Sequence, residues 1–169
     1  MKIKKKIIMG IDPGFNITGL SILEIKNNKL NILYIKEINL KKEKNYLNKM
    51  NIIYLKIKKI IKLYNPNILV MESTFLGKNV KSLKRLIQCQ SSIIFAAIHK
   101  KLSIIEYSPK TIKLLITGYG NSTKKDLKKK LEKIFNKKLN YSKNFDFSDS
   151  LGVALCYIIN IYKYKIKLN

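Results

Sequence analysis

Acidic side chains, arginine, histidine and cysteine are all scarce in this chain, and each shortage narrows what it can do. Cys89 and Cys156 are the two cysteines, and they stand far apart in the 169 residues. Neither has a metal-ligand partner at useful spacing, so both are expected to stay reduced in the core of a cytosolic protein. His99 is the single histidine; it falls near a helix end, where its charge suits the dipole, and it receives no catalytic role. No apolar run is long enough to cross a bilayer, because the longest, Leu151 to Ile159, is short and contains Gly152. The start, Met1-Lys2-Ile3-Lys4-Lys5-Lys6, has the charge of a signal peptide's first region. The apolar run after it stops at Asp12-Pro13-Gly14, too soon for a signal core. A soluble, cytoplasmic protein with no membrane partner is therefore expected.

What is abundant is positive charge. Lysine and arginine number 35 against ten acids, for a formal net charge of +25, and Arg85 is the sole arginine. Such a balance suits a polyanion such as nucleic acid. It also suits an AT-rich coding genome, since lysine comes with abundant isoleucine and asparagine, so charge alone does not choose between them. A hydrophobic share of 46% excludes disorder, and the length suits one domain spanning 1–169.

The pattern along the chain alternates strands and helices. Residues 5–11, 17–25 and 30–38 read as strands, the last two joined at Asn27-Asn28, which makes an antiparallel meander. Leu47, Met50, Ile53, Ile57, Ile60, Ile61 and Tyr64 recur at helical spacing over 45–64. Asn65-Pro66-Asn67 stops that helix, and 68–71 is a strand. A long helix over 80–99 and a strand over 102–107 follow. Ser108-Pro109 starts a short helix by capping and a preset φ. Gly118-Tyr119-Gly120 is a loop, 123–135 a basic helix, 136–144 a polar connection and 146–162 a closing helix. The order implies an α/β fold, a five-stranded mixed sheet flanked by helices.

Against so few acids, four stand where strands or helices begin or end. Asp12 ends the first strand and turns through Pro13-Gly14, which presents a carboxylate at the sheet edge beside backbone that can approach a phosphate. A plain Asp-Pro-Gly turn is the alternative. Glu72 ends the fourth strand, beside Asp12 if the two strands pair, and it could equally serve the start of a helix. Asp146 and Asp149 are three apart, on one side of a helix, and acids in a first turn also serve as caps. Taken together, three chain segments converging at one sheet edge make a hard oxygen-donor site of the kind Mg²⁺ prefers.

Gly10-Ile11-Asp12-Pro13-Gly14 with Thr18-Gly19, Met71-Glu72-Ser73-Thr74-Phe75 with Lys78-Asn79, Glu106-Tyr107-Ser108-Pro109, Gly118-Tyr119-Gly120 with Lys124, and Asp146-Phe147-Ser148-Asp149-Ser150-Leu151 occur in this order. The ordered set, over about residues 7–160, resembles the RuvC family of bacterial Holliday-junction resolvases. The resemblance implies an RNase H-like fold and catalytic, metal-binding carboxylates at Asp12, Glu72, Asp146 and Asp149. It implies Lys113 and Lys124 as basic residues near the scissile phosphate, with Lys125 as an alternative register. It also implies Phe75 as an aromatic stacking on a base near the crossover, with Lys78 beside it on DNA. A homodimer, Mg²⁺ dependence with two ions per site and Mn²⁺ as a substitute, and a branch-migration helicase complex follow from the same resemblance. One departure is Ile87-Gln88-Cys89-Gln90-Ser91, where the family commonly has Gly-Gln-Ala-Arg-Gly, so Gln90 stands in place of a basic side chain.

The expected activity is magnesium-dependent resolution of four-way DNA junctions by paired symmetric nicks, in recombination and repair. Alternatives are a related nuclease on other branched nucleic acids and a junction-binding module without cleavage. An actin-like ATPase or sugar kinase also opens with a strand, an Asp and a Gly-Thr turn, but it needs a second similar domain that 169 residues cannot supply.

Overall fold

The structure, a computed structural model, describes residues 4–74, 80–139 and 146–162. Strands β1 (Lys6–Asp12), β2 (Ile17–Lys26) and β3 (Lys29–Asn39) precede helix α1 (Tyr46–Tyr64) and strand β4 (Ile68–Glu72). Helix α2 (Val80–Ile98), strand β5 (Ser103–Tyr107) and helices α3 (Pro109–Thr117), α4 (Lys124–Phe135) and α5 (Asp146–Tyr162) complete the order. The sheet runs β3-β2-β1-β4-β5, antiparallel through the first three strands and parallel from β1 to β4 to β5. The expected mixed sheet and element order are both present.

Local chemistry accounts for the boundaries. Asn27 and Asn28 take φ of 50° and 62°, the left-handed pair that a two-residue hairpin needs and that asparagine tolerates. Asn45 caps α1 by accepting from the Leu47 and Asn48 amides, and Asn65 closes it in a left-handed conformation. Ser108 caps α3 ahead of Pro109, and Thr123 with Asp126 forms a capping box on α4.

The sheet separates two apolar layers. Met9, Ile11, Leu69 and Met71 pack with α1 and α2, whereas Ile8, Ile68 and Val70 pack with α3, α4 and α5. Side chains alternate along a strand, so Asp12 and Glu72 fall on the α5 side. Helix α5 lies very close over β1. A Cβ on Gly10 would stand 2.2 Å from the Ser150 carbonyl oxygen and 2.7 Å from the Ala154 Cβ. Ser21 Oγ donates to the same Ser150 oxygen at 2.9 Å. No described helix is long and apolar enough to cross a membrane.

Gly10→Ala should therefore push α5 off the sheet and destabilise the fold by at least about 1–3 kcal/mol. Urea denaturation measures this; an unchanged midpoint would show that α5 does not bear on Gly10.

Candidate active site at the sheet edge

Parallel pairing of Ile11 with Met71 brings the ends of β1 and β4 side by side, which makes Asp12 and Glu72 neighbours. Asp149, in the first turns of α5, comes to the same place because Gly10 lets the helix settle there. The three carboxylates line one small cavity of about 130 Å³ with Pro109, Ile112, Lys113, Lys124 and Leu127. Helix α3 thus supplies Lys113 and helix α4 supplies Lys124. Gly118, with φ of 84°, ends α3 and lets the chain turn toward α4.

The electrostatics are those of crowded acids rimmed by cations. Burial, and next the charge of Asp149, push the Glu72 carboxyl up to about 7, while Lys124 and Lys113 pull it down. Asp149 is buried, and its Oδ2 receives Lys124 Nζ at 2.5 Å. No three His, Cys, Asp or Glu groups among the described residues already enclose a single ion position.

The other expected site residues divide cleanly. Asp146 opens α5, one turn before Asp149; its side chain lies outside the described residues. Phe75 and Lys78 also lie outside them. Both Lys124 and Lys125 are exposed, and of the two Lys124 lines the cavity wall. The cap sets which of the two lysines faces α5. Thr123 starts α4, and the first residue of the helix, Lys124, is the one aimed back at α5.

Gln90 is buried and bonded rather than reaching outward. Its Nε2 donates to Glu106 Oε1 at 3.2 Å, and Thr74 Oγ1 donates to its Oε1 at 3.3 Å. Gln90 thereby ties α2 to the ends of β4 and β5. Sequence reasoning missed Glu37. Asp12 pairs with Gly19, and Gly19 with Glu37, so Glu37 continues the carboxylate row across the sheet. Its Oε2 is buried without a hydrogen-bond partner. The only signal in the sequence was an acid at an inward position of an alternating strand.

Comparison with known proteins identifies the family. A family model described as "Crossover junction endodeoxyribonuclease RuvC" matches residues 8–157. A protein of that name from Christiangramia forsetii is 35% identical over 163 residues, covering 96% of this chain and 84% of its own. One from Wigglesworthia glossinidia brevipalpis is 38% identical over 156 residues, covering 91% and 95%. Among solved structures, Thermus thermophilus RuvC superposes with a TM-score of 0.82 at 16% identity, covering 94% of this chain and 97% of that one. Its complex with a Holliday junction substrate gives 0.82 at 14% identity, covering 93% and 96%. The fold is RNase H-like, and the chain belongs to the RuvC family of crossover junction endodeoxyribonucleases.

Proposed function

We propose that this protein resolves four-way DNA junctions by metal-dependent hydrolysis of phosphodiester bonds, nicking two strands as a homodimer. The observation that carries the reading is the meeting of Asp12, Glu72 and Asp149 with Lys113 and Lys124 in one cavity. The donor set fits a hard divalent cation. All its donors are carboxylate oxygens, and Glu72 is raised first by burial and then by the Asp149 charge, a cost that such a cation relieves. Asp12, Glu72 and Asp149, with Asp146 from the same helix turn, would hold Mg²⁺, two ions per site. A metal held there would supply activation of the attacking water and neutralisation of charge on the leaving oxygen.

The protein's own groups do the rest. Lys113 and Lys124 place two cations at the cavity wall, where negative charge grows on a phosphate under attack. Exchange of Lys124 from Asp149 to the substrate phosphate frees the carboxylate when DNA arrives. Ser73 holds the strand-end segment by donating from its amide and hydroxyl to the Tyr107 carbonyl oxygen, at 2.9 and 3.2 Å. That segment leads toward Phe75, which is proposed to stack on a base at the crossover, with Lys78 beside it on DNA. A homodimer is supported by α2, whose outer face exposes Ile87, Phe95 and Ile98 along one stripe. A twofold pairing of two such sites suits two symmetric nicks.

Asp12→Asn should abolish cleavage of a labelled four-way junction in Mg²⁺ while binding stays at least as tight. Cleavage at the wild-type rate would return Asp12 to the role of a turn residue.

Glu72→Gln has a signature in stability as well as activity. The folded carboxyl is raised from 4.5 to about 7, so it favours folding fully below about pH 4.5 and loses that contribution as pH rises through 7. At pH 8 in EDTA the variant should thus melt above wild type by a few degrees, about 2–4 °C per kcal/mol recovered, with the gap closing toward pH 5. Mg²⁺ should raise the wild-type melting temperature and leave the variant's nearly unchanged. A Mg²⁺ response of equal size in both would remove Glu72 from the metal set.

The two adjacent lysines separate by geometry. Lys124→Ala should slow junction cleavage strongly and Lys125→Ala only slightly. Equal losses in single-turnover assays would mean that general charge, not the cavity wall, sets the rate.

A further inference from the structure

A basic cleft, of about 570 Å³, opens on the other side of the Asp12 turn. It is bounded by the turn residues Phe15 and Asn16, by the connection from β3 into α1, and by the first turns of α2. Its floor is unusual. Lys49 is 4% exposed, yet it sits on the apolar stripe of α1 that continues through Ile53, Ile57 and Ile61. Its Nζ donates to Asn16 Oδ1 at 2.7 Å and lies 4.3 Å from the centre of the Phe15 ring. Arg85, the only arginine, brings its Cζ to 5.3 Å from the same ring. Lys81 and Lys84 stand exposed beside it on α2.

The charge of this cleft is uncompensated. Neither Lys49, Lys81, Lys84 nor Arg85 forms an ion pair with a described acid. Glu43 is the one acid on the wall, against these four cations and Lys44, and its Oε1 is engaged by the Asn45 amide. Burying an ammonium on one hydrogen bond and a ring face leaves much of its desolvation cost unmet. An anion seated in the cleft meets it. A guanidinium held against an aromatic ring is also preorganised for a phosphate.

We propose that this cleft is a phosphate subsite for the junction strand that passes over the Asp12 turn, separate from the carboxylate cavity. Lys84, Arg85 and Lys81 contact the phosphate, and Lys49 lies beneath it. The subsite also links binding to the catalytic edge. Lys49 grips Asn16, whose carbonyl accepts from the Leu40 amide at 2.8 Å, and Asn16 lies four residues from Asp12 in the same turn. Such a subsite presupposes that the protein acts as a junction resolvase.

The test uses the full chain in EDTA, with equilibrium binding to a labelled four-way junction across a salt titration. Lys84→Ala/Arg85→Ala removes two exposed cations from the cleft, and Lys56→Ala/Lys59→Ala removes two exposed ones from α1 outside it. The first pair should weaken binding about tenfold and flatten the log–log salt slope by about 2, near 0.9 for each phosphate no longer neutralised. The second pair should change neither, and both variants should melt with wild type. Equal slopes for the two variants, in a wild type that binds and cleaves junctions, would overturn the subsite alone. A wild type that neither binds nor cleaves junctions would overturn the functional reading and the subsite with it.

Discussion

The close approach of α5 to β1 is the constraint on which the rest of the site depends. Ordinary side chains, close-packed between the layers, hold a helix off the sheet beneath it. Gly10 has none, and a Cβ there would collide with the Ser150 carbonyl oxygen. That oxygen instead receives the Ser21 hydroxyl, a polar contact in a buried seam. The first turns of α5 therefore come down on the strand that carries Asp12. Asp149 reaches the strand ends only because the next residue, Ser150, is locked there. Helices α3 and α4 then pack on α5 through Gly152, which meets Ile112, Ile116 and Leu127. Lys113 and Lys124 inherit their positions from that packing.

Electrostatic cost is concentrated at this edge. A protein with ten acids and a net charge of +25 could avoid placing carboxylates together, yet it crowds Asp12, Glu72 and Asp149 into one cavity. Burial and the Asp149 charge hold Glu72 near 7, and Lys124 is drawn onto Asp149. The arrangement disfavours the folded state when ionised and no cation is bound. That is expected of groups placed for binding rather than stability.

The elements were legible because their signals are local. Asn27-Asn28, Asn45, Asn65, Ser108-Pro109 and Thr123 each act within a few residues, so the boundaries followed from chemistry readable along the chain. Asp12, Glu72 and Asp149 were legible because acids are rare and each lies at an element's end. The choice of Lys124 over Lys125 was not, since it depends on how α4 is rotated against α5. Glu37 was hidden because its relation to Asp12 runs across two strand pairings, through a glycine. Lys49 carried a signal that went unread. A lysine four residues before Ile53, on the stripe that continues to Ile61, breaks the apolar pattern of α1.

The Asp12 turn joins the two sides of the sheet. The carboxylate cavity lies on the face covered by α3, α4 and α5, and the Lys49 cleft lies beside α1 and α2. Among the described residues, only the turn from Asp12 to Asn16 borders both. Proline and glycine shape its start, the Thr18 hydroxyl donates to the Gly14 carbonyl oxygen at 2.8 Å, and Cys89 Sγ approaches the same oxygen at 3.4 Å. A turn pinned at so many points transmits position rather than absorbing it. A phosphate held at the proposed subsite would then be presented in register to the acids on the other side. A mobile loop carrying the same residues could supply the charges but not that register, and in-line attack at phosphorus depends on register.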